Sequence, residues 1–236
     1  MFFLIFVIFA YSLVQSLFGI GLLVLGTPTL LLADYPFYDA LNILLPSSLF
    51  VSLLQIIDSR SLYTKKSLSS LLSVLPTLVV ALLIASYFET KLDIKFLVGM
   101  FTLLVVVIRF SRRIQETTRA FLSHHQSILI PVIGFVHGLS NMGGALLTTH
   151  CAFSYPNKKA ARAHVSLGYF LMVTCQIVVL SLSNHMLLSN KIWLFPMISS
   201  LSYLIVGRQS FAMASENIYQ HSLTVLLLII GLMLVF

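Results

Sequence analysis

Apolar residues run along this chain in long unbroken blocks, with few polar positions between them. Charge-free runs cover residues 1–33, 40–57, 67–88, 163–190 and 217–236, and shorter ones lie at 96–108 and 192–207. A helix needs about 20 apolar residues to cross the hydrocarbon of a bilayer, so each long block predicts a transmembrane helix. The linkers are a few residues long and leave no soluble domain to house an enzyme. One further run, 120–157, is weakly interrupted and contains GFVHGLSNMGGALLTTH, Gly134 to His150. Glycines, an asparagine and two histidines inside a charge-free stretch predict a break in a helix at membrane depth.

The same pattern occurs twice. VQSLFGIGLLVL (Val14 to Leu25) lies against VHGLSNMGGALL (Val136 to Leu147), pairing Gly21 with Gly143 at a separation of 122 residues. Gln55 then pairs with Gln176 at 121, and Pro76 with Pro196 at 120. Three landmarks in one order at nearly constant spacing predict a duplication, with repeats at 1–118 and 119–236.

Basic residues orient the repeats. If every block crosses once, the 14 Lys and Arg divide 8 to 6 between the two sides. If 2–33 and 127–155 are instead helical hairpins that enter and return, they divide 11 to 3, with only Lys91, Lys95 and Lys191 opposite the rest. The second arrangement follows the positive-inside rule. A straight helix over residues 2–33 would also be about 48 Å long, against a core of roughly 30 Å. The expected fold is therefore an all-α polytopic membrane protein of two inverted repeats, each a broken or re-entrant hairpin followed by three transmembrane helices. Both termini would lie on the periplasmic side.

Composition narrows the class. With 58% hydrophobic and 9% charged residues and a mean hydropathy of +1.01, the chain excludes a soluble domain. The first segment has no basic n-region and reads as a retained helix. The formal charge of +7 is scattered beside apolar runs, which points to topology and a lipid bilayer, with no nucleic acid partner. Cys151 and Cys175 have no CxxC spacing; His124 and His125 lie in a basic loop. No metal or cofactor site is expected. All Lys, Arg, Asp and Glu fall in or beside predicted loops, so the core is expected to offer no fixed charge and no acidic sodium site. Oligomeric state, coupling and direction stay open. Export would be aided by a membrane potential, worth about 2.3 kcal/mol per charge at 100 mV.

Inverted repeats with interrupted helices point to a transporter's binding site. Gly19 and Gly21 in the first half, with Gly138, Gly143 and Gly144 in the second, permit tight reversals. New half-helices are expected from about Leu22 and Gly144, with their positive ends toward an anion. Asn141, Gln55 and Gln176 carry amide N–H groups that can donate to an oxyanion, or bond between helices. Ser47 and Ser48 after Pro46 are expected chiefly to bond back to their own helix. His137, His150 and His164 are candidates for a proton relay.

SLFGIGLLVLGTPTLLLADYPFYDALNILLP and GFVHGLSNMGGALLTTH resemble the paired glycine-rich segments of the sulfite exporter TauE/SafE family, also called the toluene sulfonate uptake permeases. The resemblance spans essentially the whole chain. Leu22 and Leu23 stand where a fuller glycine run is usual, Asn141 replaces a glycine, and His150 stands where proline is common, while Pro28 keeps its place. It implies a bacterial inner-membrane transporter of sulfite, sulfonates or other small organic anions, and no enzyme. An anion channel, or less readily a membrane-embedded enzyme or assembly factor, are the alternatives.

Overall fold

A computed structural model describes residues 1–88, 93–110, 126–155, 157–183, 193–213, 225, 228–229 and 231–236, and all regular structure among them is helical. Lys91, Arg112, Arg113, Arg119, Lys191, His124, His125 and the expected boundary at 118/119 lie outside the described residues.

Helix α1 (Phe2–Phe18) and α2 (Leu22–Leu32) are separated by a break, and α3 (Phe37–Asp58) follows. The apolar run 67–88 is divided into α4 (Lys65–Leu72) and α5 (Val74–Tyr87). Pro76 explains the division, because its ring clashes with the carbonyl four residues earlier, at Leu72, where α4 ends. Thr64 starts α4 with a capping box, its hydroxyl accepting from the Ser67 N–H and Ser67 Oγ accepting from the Thr64 N–H. Next comes α6 (Ile94–Phe110).

In the second half α7 (Gln126–Ser140) and α8 (Gly143–Ser154) flank the second break. Helix α9 (Lys158–Leu182) is capped by the Asn157 side chain, which accepts from the Ala160 N–H at 2.8 Å. After α10 (Leu194–Ser202) come a π-helical turn, Tyr203–Gly207, and α11 (Arg208–Met213).

Three helical stretches, Phe37–Asp58, Lys65–Tyr87 and Lys158–Leu182, are long and apolar enough to cross a membrane. By contrast α2 and α8, with 11 and 12 residues, rise only about 17 and 18 Å, short of a roughly 30 Å core. Each has room to enter the membrane but not to cross it.

Polarity is inverted relative to a water-soluble fold. Phe2, Phe6, Val80, Leu83, Leu182, Leu201 and Ile205 are exposed, whereas Gln15, Ser16, Ser48, Gln55, Asn141, Ser166 and Gln176 are buried. An apolar exterior around a polar interior suits hydrocarbon as the solvent. Small residues let the helices approach closely: a Cβ at Gly138 would lie 2.6 Å from the Leu78 carbonyl oxygen on α5.

Of the two long helices that follow the breaks, the C-terminal end of α3 meets the first turns of α9. Tyr63, just past the end of α3, donates to the Ala163 carbonyl near the start of α9 at 3.2 Å. Asp58, Arg60, Lys65, Lys158, Arg162 and Arg208 belong to this end of the bundle, and at the other end of α3 Asp34 pairs with Lys95 at 2.7 Å. Lys95 holds the Asp34 carboxyl below its usual range through a hydrogen bond and its charge. Any stabilisation from this pair is present above the ordinary carboxylate pKa and is lost as pH falls through the depressed one. Both partners are solvent-exposed, so Lys95→Ala should melt with the wild type between pH 5 and 8; a clear drop in melting temperature in that window would contradict a solvent-screened pair.

Candidate functional site

The two breaks are built alike, residue by residue, at a separation of 122. Gly19 is left-handed with φ 75° and its N–H donates to the Gln15 carbonyl at 2.8 Å. Asn141 is left-handed with φ 64° and its N–H donates to the His137 carbonyl at 2.8 Å. Glycine takes this conformation freely and asparagine is among the more tolerant types, which is why the second break can carry Asn141 where the first carries Gly19. Helix α2 restarts at Leu22 and α8 at Gly143.

The glycine just before or at each restart is held against the preceding helix. A Cβ at Gly21 would collide with the Gln15 backbone nitrogen and lie 2.6 Å from the Tyr11 carbonyl oxygen. A Cβ at Gly143 would collide with the Ile133 carbonyl oxygen and lie 2.9 Å from the His137 backbone nitrogen. Residues six and ten positions earlier make the contact in both halves. Gly144 lies against the Tyr169 ring so closely that any Cβ there would overlap it.

Side chains brace each break. Gln55 Nε2 donates to the Gln15 carbonyl at 2.7 Å and the Ser16 carbonyl at 3.2 Å, and its Oε1 accepts from Ser166 Oγ at 2.8 Å. Gln176 Nε2 donates to Asn141 Oδ1 at 3.1 Å, and its Oε1 lies 3.2 Å from His137 Nε2. Asn141 Nδ2 donates to Thr27 Oγ1 at 2.8 Å, tying the second break to α2. In this conformation both glutamines bond between helices, and Gln55 directs its amide group at two carbonyls in the last turn of α1, that of Gln15 already accepting from the Gly19 N–H.

The histidines do not form a chain. His137 sits at the second break with Nδ1 unpartnered, and His150 Nδ1 on α8 is likewise unpartnered. His164 Nδ1 meets the Ala160 carbonyl at 2.9 Å, and its ring stacks on Tyr155 with centroids 3.7 Å apart. No hydrogen bond links the three to one another among the described residues, and no group of three His, Cys, Asp or Glu there is placed to hold a metal.

Two expectations need correction. Ser48 does not bond back to its own helix: its Oγ donates to Gln15 Oε1 at 3.1 Å, and its carbonyl accepts from Gln15 Nε2 at 3.1 Å. Ser47 Oγ has no partner, while its carbonyl accepts from Ser199 at 3.2 Å. A partner on α1 satisfies Ser48 across the helix interface instead. The core also has a fixed charge. Arg162 is only 8% exposed and donates from Nη1 to the Ser16 carbonyl at 2.9 Å.

Arg162, Gln15 and Tyr169 escaped the sequence reading, yet each left a signal. Gln15 falls opposite His137 at the same separation as Gly21 and Gly143. Arg162, Ser166, Tyr169, Val173 and Gln176 recur every three or four residues, the period of one helix face, and all five are buried. This face of α9 spans about 21 Å. It meets the first break through Arg162 and Ser166, and the second through Tyr169 and Gln176. The Tyr169 hydroxyl is fully buried with no hydrogen-bond partner, beside Gly144 and edge-on to the His137 ring at 5.8 Å.

The family profile described as TauE, Sulfite exporter TauE/SafE, matches residues 4–234. The chain has no significant match among curated proteins or among solved structures. That family is one of membrane transporters rather than enzymes. With broken apolar helices, a lipid-suited exterior and a match over nearly its entire length, the chain belongs to the sulfite exporter TauE/SafE family of membrane transporters.

Proposed function

We propose that this protein is a secondary transporter of small sulfur-containing or organic anions, sulfite and sulfonates first among them, in a bacterial inner membrane. Its two repeats, 1–118 and 119–236, are inverted, with re-entrant hairpins at 2–33 and 127–155 and both termini periplasmic. Support for inversion comes from the meeting of the C-terminal end of α3 with the first turns of α9 and from the matched breaks at Gly19 and Asn141. The sorting of described basic residues toward one end of α3 supports the orientation.

The second break carries the proposal. Gly143 and Gly144 open α8, and their N–H groups lie at the positive end of the helix dipole, while that of Ala145 donates to the Met142 carbonyl at 3.1 Å. Beside them the Tyr169 hydroxyl and His137 Nδ1 are buried without partners. Unpaired buried polar groups cost about 1–3 kcal/mol each, so an oxyanion accepting from the Tyr169 hydroxyl would offset such a cost. Gly19, Gly21, Asn141, Gln55 and Gln176 hold the breaks in place, while His137, His150 and His164 remain the residues able to take up a proton during turnover.

Uptake of radiolabelled sulfite and sulfoacetate into proteoliposomes, with the potential clamped at either sign, tests this reading. We expect saturable flux that follows the potential and shows counterflow. Tyr169→Phe should raise the half-saturating concentration by about tenfold, the effect of one lost buried hydrogen bond. Flux without saturation or counterflow would indicate a channel, and no flux of any sulfur anion would reject this cargo.

A further inference from the structure

We infer that Arg162 is the fixed cation that holds the transported oxyanion at the end of the bundle beside the first break, an inference that rests on the anion-transporter reading above. A buried guanidinium is expensive and calls for a counter-charge. Asp58 is the carboxylate whose charge bears on it, and Tyr203 bonds its side chain, but Asp58 Oδ2 already accepts from Tyr203 Oη at 2.7 Å and pairs with Arg208 Nε at 3.1 Å. No carboxylate forms an ion pair with Arg162 among the described residues.

Its remaining contacts leave the fork incomplete. Nη1 meets the Ser16 carbonyl, which also places positive charge at the C-terminal end of α1, where the helix dipole favours it. Phe211 covers one face of the guanidinium, 3.5 Å from the ring centroid. Nε is buried with no hydrogen-bond partner. Arg162 is thus a buried cation with an unused donor, in a cluster where Arg208 and Lys158 are the other cations and Asp58 the carboxylate. A planar guanidinium fits the paired oxygens of sulfite, a sulfonate or a carboxylate, and Lys158, over the same Phe211 ring at 5.3 Å, adds a second positive charge beside it.

The position gives this charge a role. Arg162 begins the buried face of α9 that leads through Ser166 to Tyr169 at the second break, about 10 Å along the helix from Arg162 to Tyr169. The anion would be held by Arg162 at one end of this face and by Tyr169 and the start of α8 further in. Tyr203 stands at the first residue of the π-helical turn next to this cluster, a type of irregularity common at functional sites.

The test uses purified full-length protein in lipid-free detergent micelles, which separates soluble anions from phospholipid headgroups. Thermal melting is measured against sulfite, sulfoacetate, acetate, lactate, sulfate and chloride, for the wild type, Arg162→Lys, Arg162→Gln and Thr174→Ala, a control on the exposed face of α9. Sulfite, sulfoacetate, acetate and lactate should stabilise the wild type and the control, and chloride should not. Arg162→Gln should weaken binding about 10- to 100-fold, the loss of a charge-assisted hydrogen bond, and Arg162→Lys should fall between because it keeps the charge but not the fork.

Wild-type affinity in Arg162→Gln would overturn the assignment of Arg162 while leaving the transporter reading intact. Stabilisation by carboxylates alone, still dependent on Arg162, would keep this site and replace the sulfur cargo. If no oxyanion shifts the wild-type protein, the site itself is refuted. Should Arg162→Gln fail to fold, the lysine variant decides: undiminished affinity for every anion would refute recognition by the guanidinium.

Discussion

Gly143→Ala should carry at most about one tenth of wild-type flux per molecule of protein, because the methyl group has nowhere to go. The atoms in its way are the Ile133 carbonyl oxygen and the Cβ and backbone nitrogen of His137. Backbone one and two turns back along α7 cannot rotate aside as a side chain can, so α8 must tilt away from α7. That shift carries the first N–H groups of α8 away from Tyr169 and from Asn141. Overpacking of this kind costs about 1–3 kcal/mol, so the protein should still fold and reach the membrane while losing transport.

The first half supplies an internal check. Gly21→Ala meets the same two backbone positions, at Gln15 and Tyr11, and should cause a loss of similar size. Gly26→Ala is the contrast: its methyl would lie 2.7 Å from Leu44 Cδ2, the mobile tip of a side chain, and should retain most of the flux. Equal activity in all three variants, measured as initial sulfite uptake in proteoliposomes, would show that close approach at the breaks does not position the site.

Asn141→Ala should be the most destabilising single change in the second half, by about 3–8 kcal/mol. Two causes add. Alanine in the left-handed region costs about 1–2 kcal/mol, and two buried groups, Thr27 Oγ1 and Gln176 Nε2, lose their partner at about 1–3 kcal/mol each when left unsatisfied. Asn141→Gly separates them, since glycine restores the backbone freedom but not the hydrogen bonds. The expected order of melting temperature is wild type, then Asn141→Gly, then Asn141→Ala. An alanine variant as stable as the glycine variant would mean that backbone conformation at position 141 contributes nothing.

Much of this architecture is written in one dimension. Apolar blocks longer than a bilayer is thick give helices, because hydrocarbon leaves backbone N–H and C=O groups no other partners. Glycines spaced at Gly19, Gly21, Gly143 and Gly144 give the breaks, because only a residue without a Cβ fits where α2 and α8 turn back against α1 and α7. The two half-helices begin at Leu22 and Gly143, within one residue of where the glycine pattern places them.

What the linear pattern lacked was rotation about each helix axis and the identity of neighbours. Arg162 lies five residues into α9, so by position it reads as a loop residue, and only the packing of α9 on α1 turns it inward onto Ser16. Ser48 reads as a serine that bonds its own helix, until Gln15 arrives from α1 with both an acceptor and donors. Tyr169 is an ordinary aromatic in an apolar run, and its importance comes from Gly144, 25 residues earlier, which opens the space its hydroxyl occupies. Helix positions and breaks follow from local chemistry, hydrophobicity and backbone freedom, and so the sequence by itself determined them. Which polar groups meet depends on contacts across dozens to more than a hundred residues, and only tertiary structure decided these: it turned one face of α9 toward both breaks and set Arg162 and Tyr169 along it.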